Sequence, residues 1–352
     1  MTVTDEVQEF IRRMPKTELH VHLEGSVRPR TLLELAERHG VRLPASNEEE
    51  LQRYYSFRDF DHFIEVYVEV NQCLRTSDDF ALITRELGEE AARQNTRYLE
   101  VTISPGGPVR RGRLSYEEFH EGISEGARQV REEWGVEMRF VVDIVRVNDA
   151  ENRWSAARYA ASKAGDGIVG IGLGGTEVGY PPEAHVDVFD FALANGLRST
   201  PHAGETVGPE SVWGAVRALK AERIGHGIRA IDDPLLVEHL REHQITLEVC
   251  PTSNVCTRAV ASLGEHPIRR LYDAGVPITV NSDDPPMFGT TLLDEQLLLA
   301  NEFGFSIDDI EKVNLQGLTA AFLPDAEKRR MASEFRAEYA RLRQELGLAA
   351  AG

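Results

Sequence analysis

Cysteine is nearly absent: only Cys73, Cys250 and Cys256 occur in 352 residues. They are too few and too irregularly spaced for a disulfide framework. Long apolar runs are missing too; none approaches the roughly 20 residues that cross a bilayer. The N-terminal stretch MTVTDEVQEFIRRMPK has no apolar signal core. A soluble cytoplasmic protein with no membrane partner is the expectation. Positive charge is short: 39 Lys and Arg face 58 Asp and Glu, for a net charge of −19. An acidic surface repels phosphate rather than releasing its counterions, which argues against a nucleic-acid partner. No short repeat, low-complexity tract or long Gly/Ser/Pro linker divides the chain, so one compact unit over 1–352 is expected. Nothing in the sequence speaks to oligomeric state.

What the chain does contain is a rhythm of short apolar runs followed by helical patterns. The runs are Leu19–Leu23, Tyr98–Ile103, Met138–Val145, Ile168–Leu173, Leu197–His202, Arg223–Ile228, Ile245–Cys250 and Ile278–Asn281. Several are continuous β-branched runs rather than alternations, as in strands buried on both faces. Helix signals lie between them. Ser115 with Glu118 forms a capping box, with Gly135 as the stop, and Asp233-Pro234 opens another helix. Pro182–Asn195, Pro209–Leu219 and Pro267–Asp273 read as further helices. Strand–helix alternation implies parallel strands with right-handed crossovers. Eight such units predict an α/β fold of the (β/α)₈ TIM-barrel class. The first crossover is too long, so residues from about 46 to 77 are read as a helical insertion over the barrel mouth. The tail Asp325–Leu346 reads as an amphipathic helix packed outside.

In such a barrel chemistry sits at the C-terminal ends of the strands, and polar residues collect there. They are His20, His22 and Glu24; Gly174-Gly175 and Glu177; His202 and Glu205; His226; Asp283 and Asp284. His20 and His22 stand at i and i+2 on one strand and point to the same face, the barrel interior. A lone interior histidine is usually a hydrogen-bonded core residue; two at this spacing favour a metal. His202 alone reads equally well as a solvated strand end, Glu205 as a helix N-terminal acid, His226 as part of a glycine-flanked bulge and Asp283 as an N-cap. The set carries what its members do not: three histidines and an aspartate from strands one, five and eight meet only if the barrel closes. Such a ligand set suits Zn²⁺, with Fe²⁺ or Co²⁺ as alternatives. With no Cys-x-x-Cys, the cysteine-ligated zinc of cytidine-type deaminases is excluded.

The stretches ELHVHLEGS (Glu18–Ser26), GLGGTE (Gly172–Glu177), HAGE (His202–Glu205), GHG (Gly225–Gly227), CPTSN (Cys250–Asn254) and NSDDP (Asn281–Pro285) resemble, in order and spacing, those of the adenosine deaminase family of metal-dependent aminohydrolases. The resemblance runs from the first strand to the last. It implies that His20, His22, His202 and Asp283 bind one zinc. It implies that Glu205 protonates purine N1, and that His226 orients and helps to deprotonate the attacking water. Gly175 would meet N3 through its backbone N–H, and Asp284 would bond N7 or the attacking oxygen. His22 and Glu24 would border the sugar. Glu24 stands where the family usually has Asp; a longer acid shortens the sugar pocket, as in relatives that act on adenine or on 5′-modified adenosines. The implied reaction is hydrolytic deamination of adenosine, a small-molecule purine nucleoside. The alternatives are a 5′-modified adenosine such as 6-aminodeoxyfutalosine of menaquinone synthesis, or free adenine. Two other classes compete. A metal hydrolase cleaving amides or phosphoesters often needs a bridging lysine, yet lysine is scarce and Lys163 and Lys220 fall in helical patterns. A non-catalytic binder would be signalled by loss of a ligand or of Glu205, and none is lost. The aromatic insertion (Tyr54, Tyr55, Phe57, Phe60, Phe63, Tyr67) either excludes water from the site or simply packs on the barrel.

Overall fold

The computed structural model describes residues 4–350. All eight apolar runs form strands, every paired one parallel to its neighbour. β1 (Lys16–His22), β2 (Thr96–Ile103), β3 (Glu137–Val145), β4 (Ile168–Gly174) and β5 (Arg198–Ser199) form one sheet. β6 (His202–Ala203), β7 (Arg223–His226), β8 (Thr246–Val249) and β9 (Ile278–Val280) form the next. The run Leu197–His202 is split into β5 and β6 because Pro201 has no N–H for the ladder. Pairing still passes through the break: Thr200 N–H donates to Ile171 C=O at 3.0 Å, and Gly225 N–H donates to Pro201 C=O at 3.0 Å. The last strand meets the first where Asp283 bridges Val21; His22 N–H donates to Asp283 C=O at 2.8 Å and Asp283 N–H to His20 C=O at 3.2 Å. The protein is a (β/α)₈ barrel.

Helix boundaries follow their caps. The Ser115–Glu118 box opens Tyr116–Trp134, which ends at Gly135 in the left-handed region. Asp233 caps Pro234–His243 by accepting from Leu235 N–H. Pro182 begins a 3₁₀ turn, Pro182–His185, before the α-helix Val186–Ala194. The tail helix runs from Asp325 to Leu346 and buries Phe335 and Tyr339. The Tyr339 ring lies 6.1 Å from Phe10, and its hydroxyl donates to Pro15 C=O, at the N-terminal end of β1. That end of the barrel is sealed by Lys16, whose buried ammonium donates to the carbonyls of Arg12, Met14 and Gln94.

The insertion holds the helices Glu48–Tyr54 and Phe60–Val70. Phe57 and Phe63 pack edge to face at 5.3 Å, and Phe63 packs on Phe288, beside Asp284, at 5.1 Å. This anchors the insertion to the loop after the last strand. Tyr55 and Phe57 are buried packing residues, whereas Phe60, Phe63 and Tyr67 line a cavity at the C-terminal ends of the strands.

Candidate active site

The cavity holds about 1310 Å³ including its open mouth. His20 and His22 enter from β1, His202 from β6, His226 from the last residue of β7, and Asp283 from just beyond β9. His226 and Asp283 both adopt left-handed backbone, at φ 59° and 65°, a conformation that costs a non-glycine residue about 1–3 kcal/mol and clusters at functional sites.

Acceptor atoms converge here. His22 Nε2 and His202 Nε2 face each other at 3.2 Å. Asp283 Oδ1 lies 3.3 Å from His22 Nε2 and 3.4 Å from His20 Nε2. Ligands about 2.0–2.1 Å from one tetrahedral cation stand about 3.3 Å apart, so these spacings fit a shared divalent ion. His20 Nδ1 donates to Glu248 Oε2 at 2.9 Å. That leaves a lone pair on Nε2, which is buried and has no hydrogen-bond partner, the tautomer a metal requires. Glu248 is itself held by Thr200 and by Arg223, which reaches on to Glu100 at 2.6 Å. Burial opposes charge on both histidines. For His20, the adjacent carboxylates of Asp283 and Glu248 outweigh it and push the pKa up to about 10; for His22, Asp284 and Asp283 raise it to about 9. The site calls for positive charge, which a divalent cation satisfies. The donor atoms of His20, His202, His226 and Asp283 all lie within 4.8 Å of one another, as do those of His22, Asp283 and Asp284. His226 Nε2 is the outlying donor, 3.8 Å from Asp283 Oδ2 and 3.6 Å from Glu205 Oε2.

The protonation of His226 is fixed by neighbours distant in sequence. The Ile268 backbone N–H can only donate, and it donates to His266 Nδ1 at 3.2 Å. The His266 proton therefore sits on Nε2 and goes to Asn254 Oδ1 at 3.1 Å. This turns the Asn254 amide so that its NH₂ donates to His226 Nδ1 at 3.1 Å. Neutral His226 must then carry its proton on Nε2, facing the cavity. Burial holds both rings neutral, lowering His226 to about 3 and His266 to about 4.

Glu205 is buried, and burial together with the charges of Asp283 and Glu177 raises its pKa well above the usual carboxylate range. Its position is set by Glu177, which accepts from the N–H groups of Gly204 (2.6 Å), Glu205 (3.2 Å), Thr206 (2.9 Å) and Val207 (3.1 Å) and from Ser211 Oγ. One carboxylate thus moulds the HAGE turn. Asp284 is raised well above its ordinary value by burial and by adjacent Asp283, and its Oδ1 has no partner. A Cβ on Gly25 would lie 1.5 Å from that oxygen, so only glycine lets the 3₁₀ turn after β1, Glu24–Ser26, pass so near. Glu24 accepts from Ser104 N–H at 2.8 Å through Oε1, while Oε2 is buried without a partner.

All the residues singled out from sequence meet at this site. Those not singled out are reached through long-range contacts. Asp143, at the end of β3, is buried with Oδ1 unpartnered and lines the cavity. A Cβ at Gly172 or Gly174 would come within 2.6 or 1.9 Å of its carboxylate oxygens, so the glycines of GLGGTE make its room. An acid at the C-terminal end of a β-branched run was the available signal. Ser253, which donates to Asp283 Oδ2 at 2.6 Å, and Asn254 lay inside CPTSN without a role; Glu248 and His266 had no local signal. Lys163 caps a helix and Lys220 pairs with Asp190. Neither is among the residues lining the cavity, so a bridging-lysine hydrolase has no support.

The adenosine deaminase family model matches residues 15–338. The chain belongs to this family. It is 44% identical over 336 residues to an aminodeoxyfutalosine deaminase of Streptomyces avermitilis, covering 94% of this chain and 92% of that one. It is 37% identical over 338 residues to an adenine deaminase of Cupriavidus necator, covering 96% and 95%. Among solved structures, a zinc-bound amidohydrolase from Burkholderia ambifaria superposes with a TM-score of 0.91 at 28% identity, covering 99% of this chain and 96% of that one. The chain is thus a member of a family of deaminating hydrolases. Among the described residues, no helix is long and apolar enough to cross a membrane.

Proposed function

We propose that this protein hydrolytically removes the 6-amino group of a 5′-modified adenosine, 6-aminodeoxyfutalosine, with zinc as its metal. The chemistry is carried by one observation: Glu205, whose burial holds its carboxyl well above the usual carboxylate range, stands beside a cluster with the spacing of a tetrahedral cation site. The similarity to the Streptomyces enzyme supports the substrate ahead of adenosine, the first expectation from sequence. Glu24 in place of the usual Asp supports it too. Free adenine is the second reading, favoured by the Cupriavidus relative; against it stands a cavity that continues past the base along Phe60, Ile64 and Val68.

His20, His22, His202 and Asp283 would hold the metal, which supplies Lewis acidity, lowering the pKa of water from 15.7 to about 7. Glu205 gives its proton to purine N1, which opens C6 to attack; general acid help of this kind contributes about 10²–10⁴-fold. Neutral His226 donates from Nε2 to the incoming oxygen. It orients that oxygen and does not take its proton, because Nδ1 is engaged by Asn254 and Nε2 already carries hydrogen. Asp284, kept protonated, donates to N7, which can only accept. Gly175, at φ 84° on the cavity wall, offers its N–H to N3. Glu24 and Asp143 accept from the sugar hydroxyls, and His22 borders the same sugar. The water oxygen replaces the amine at C6: N1 keeps the proton from Glu205, one proton of the water leaves on the amine as ammonia, and the other restores Glu205. The test is steady-state kinetics on 6-aminodeoxyfutalosine, adenine and adenosine, followed by ultraviolet absorbance and released ammonia. The highest kcat/KM is expected for the first; faster turnover of adenine or adenosine would overturn the substrate assignment.

A further inference from the structure

Four arginines gather where the loop after β2 meets the insertion. Arg111 lies close enough to Arg113, Arg110 and Arg75 to feel the charge of each. Among the described residues, none of the four has a carboxylate within ion-pairing distance; their guanidinium contacts are to neutral oxygens. Arg75 donates to His39 C=O, Arg113 to Gln72 C=O, Arg111 to Asn71 C=O at 3.3 Å, and Arg110 to Asn148 Oδ1 at 3.5 Å. In a chain of net charge −19, this is a local concentration of positive charge, on which Glu24 acts through space without forming an ion pair. Arg110 and Arg111 line the cavity, and Arg111 Nε is buried with no partner. The same cavity carries an apolar stretch of wall: Phe60, Ile64, Val68, Pro108 and Val147. Val68 and Val147 are about half exposed, at 49% and 52%, and so present apolar surface with nothing covering it.

Acids at the metal, an apolar stretch of wall and arginines around one cavity describe an occupant with three parts. We propose that Arg111, with Arg110, binds a carboxylate at the outer end of the substrate's 5′ substituent, and that the apolar wall holds the arm between the sugar and that carboxylate. A planar guanidinium with a free N–H edge suits such a group better than an ammonium would. The inference rests on the proposed reading of the site as a deaminase of 5′-modified adenosines, and it names the groups that select among them.

The experiment compares 6-aminodeoxyfutalosine as free acid and as methyl ester, with AMP and adenosine alongside, on the metal-loaded wild-type enzyme and on R111A, R111K and R110A. The acid is expected to exceed the ester in kcat/KM by about 10- to 100-fold, the worth of a hydrogen-bonded charge. Most of the difference should lie in KM. The acid-to-ester ratio should collapse toward one in R111A and shrink less in R111K and R110A. Equal turnover of acid and ester by the wild type, both above adenosine, would overturn the carboxylate subsite while leaving the 5′-modified substrate standing. Adenosine outrunning both would overturn the substrate reading, and this inference with it. AMP matching the acid, with the same dependence on Arg111, would place a phosphate next to the sugar and overturn the extended arm. The wild-type acid–ester comparison decides even if a variant fails to fold.

Discussion

Asn254→Asp changes one atom and should reverse the polarity of the His266–Asn254–His226 chain. In the native protein the Asn254 NH₂ donates to His226 Nδ1 at 3.1 Å, so the His226 proton faces the cavity. Aspartate only accepts. It still satisfies the His266 Nε2–H, but it now requires a proton on His226 Nδ1 as well. A second proton on His226 is opposed by burial and by the charges of His20 and His22, which together outweigh the pull of Asp283 and Glu248, and by any cation bound between them. The ring therefore switches tautomer, leaving a bare Nε2 lone pair 3.6 Å from Glu205 Oε2 and 3.8 Å from Asp283 Oδ2. The attacking oxygen loses a donor, and removal of one preorganised donor of this kind costs about 2.7–4 kcal/mol, or about 10²–10³ in kcat. Because the side chains are isosteric, the circular dichroism spectrum and the metal content by elemental analysis should match the wild type. A kcat within about threefold of wild type, with metal retained, would refute the argument that His226 acts as a donor whose tautomer Asn254 sets.

Other consequences are as direct. Glu205→Gln should keep its metal and lose nearly all turnover, since the amide cannot protonate N1; retained activity would remove Glu205 from the acid role. Asp283→Ala should purify without metal, read by elemental analysis, because the carboxylate shared by His20 and His22 is gone. Burial pushes both Glu24 and Asp143 up to about 6. As the pH falls through that value they take up protons and stop accepting from sugar hydroxyls, so KM for a nucleoside should rise below about pH 6 while KM for free adenine stays flat. Their contribution to stability runs the other way: with folded pKa above unfolded, it is full at low pH and is lost as the pH rises toward 6. D143N should shrink both effects; an unchanged KM profile in D143N would take Asp143 out of sugar binding.

Much of this was readable residue by residue. The strands follow from β-branched runs, and the helix starts from Ser115, Asp233 and their proline or glutamate companions, because these signals act over a few residues. The HxH parity placed His20 and His22 on one face for the same reason. The break in the fifth strand is legible in Pro201, whose missing N–H interrupts the otherwise continuous run Leu197–His202. Asp143 and Glu248 sit in runs that look like core, and their meaning comes from what faces them: glycines on β4, and Arg223 with His20 across the barrel. The role of His226 was half legible. Its place at a strand end is local, but its tautomer depends on a backbone N–H 42 positions further along the chain.

Local preference and side-chain parity fixed which elements form and which residues face inward, since both are properties of neighbouring peptide units. Barrel closure decided the rest. Only when β1 hydrogen-bonds to the segment after β9 does Asp283 come within 3.4 Å of His20, and only the docked insertion puts an apolar wall in front of Arg110 and Arg111. Coulomb and coordination forces act through space, and the chain learns those distances only once it is folded.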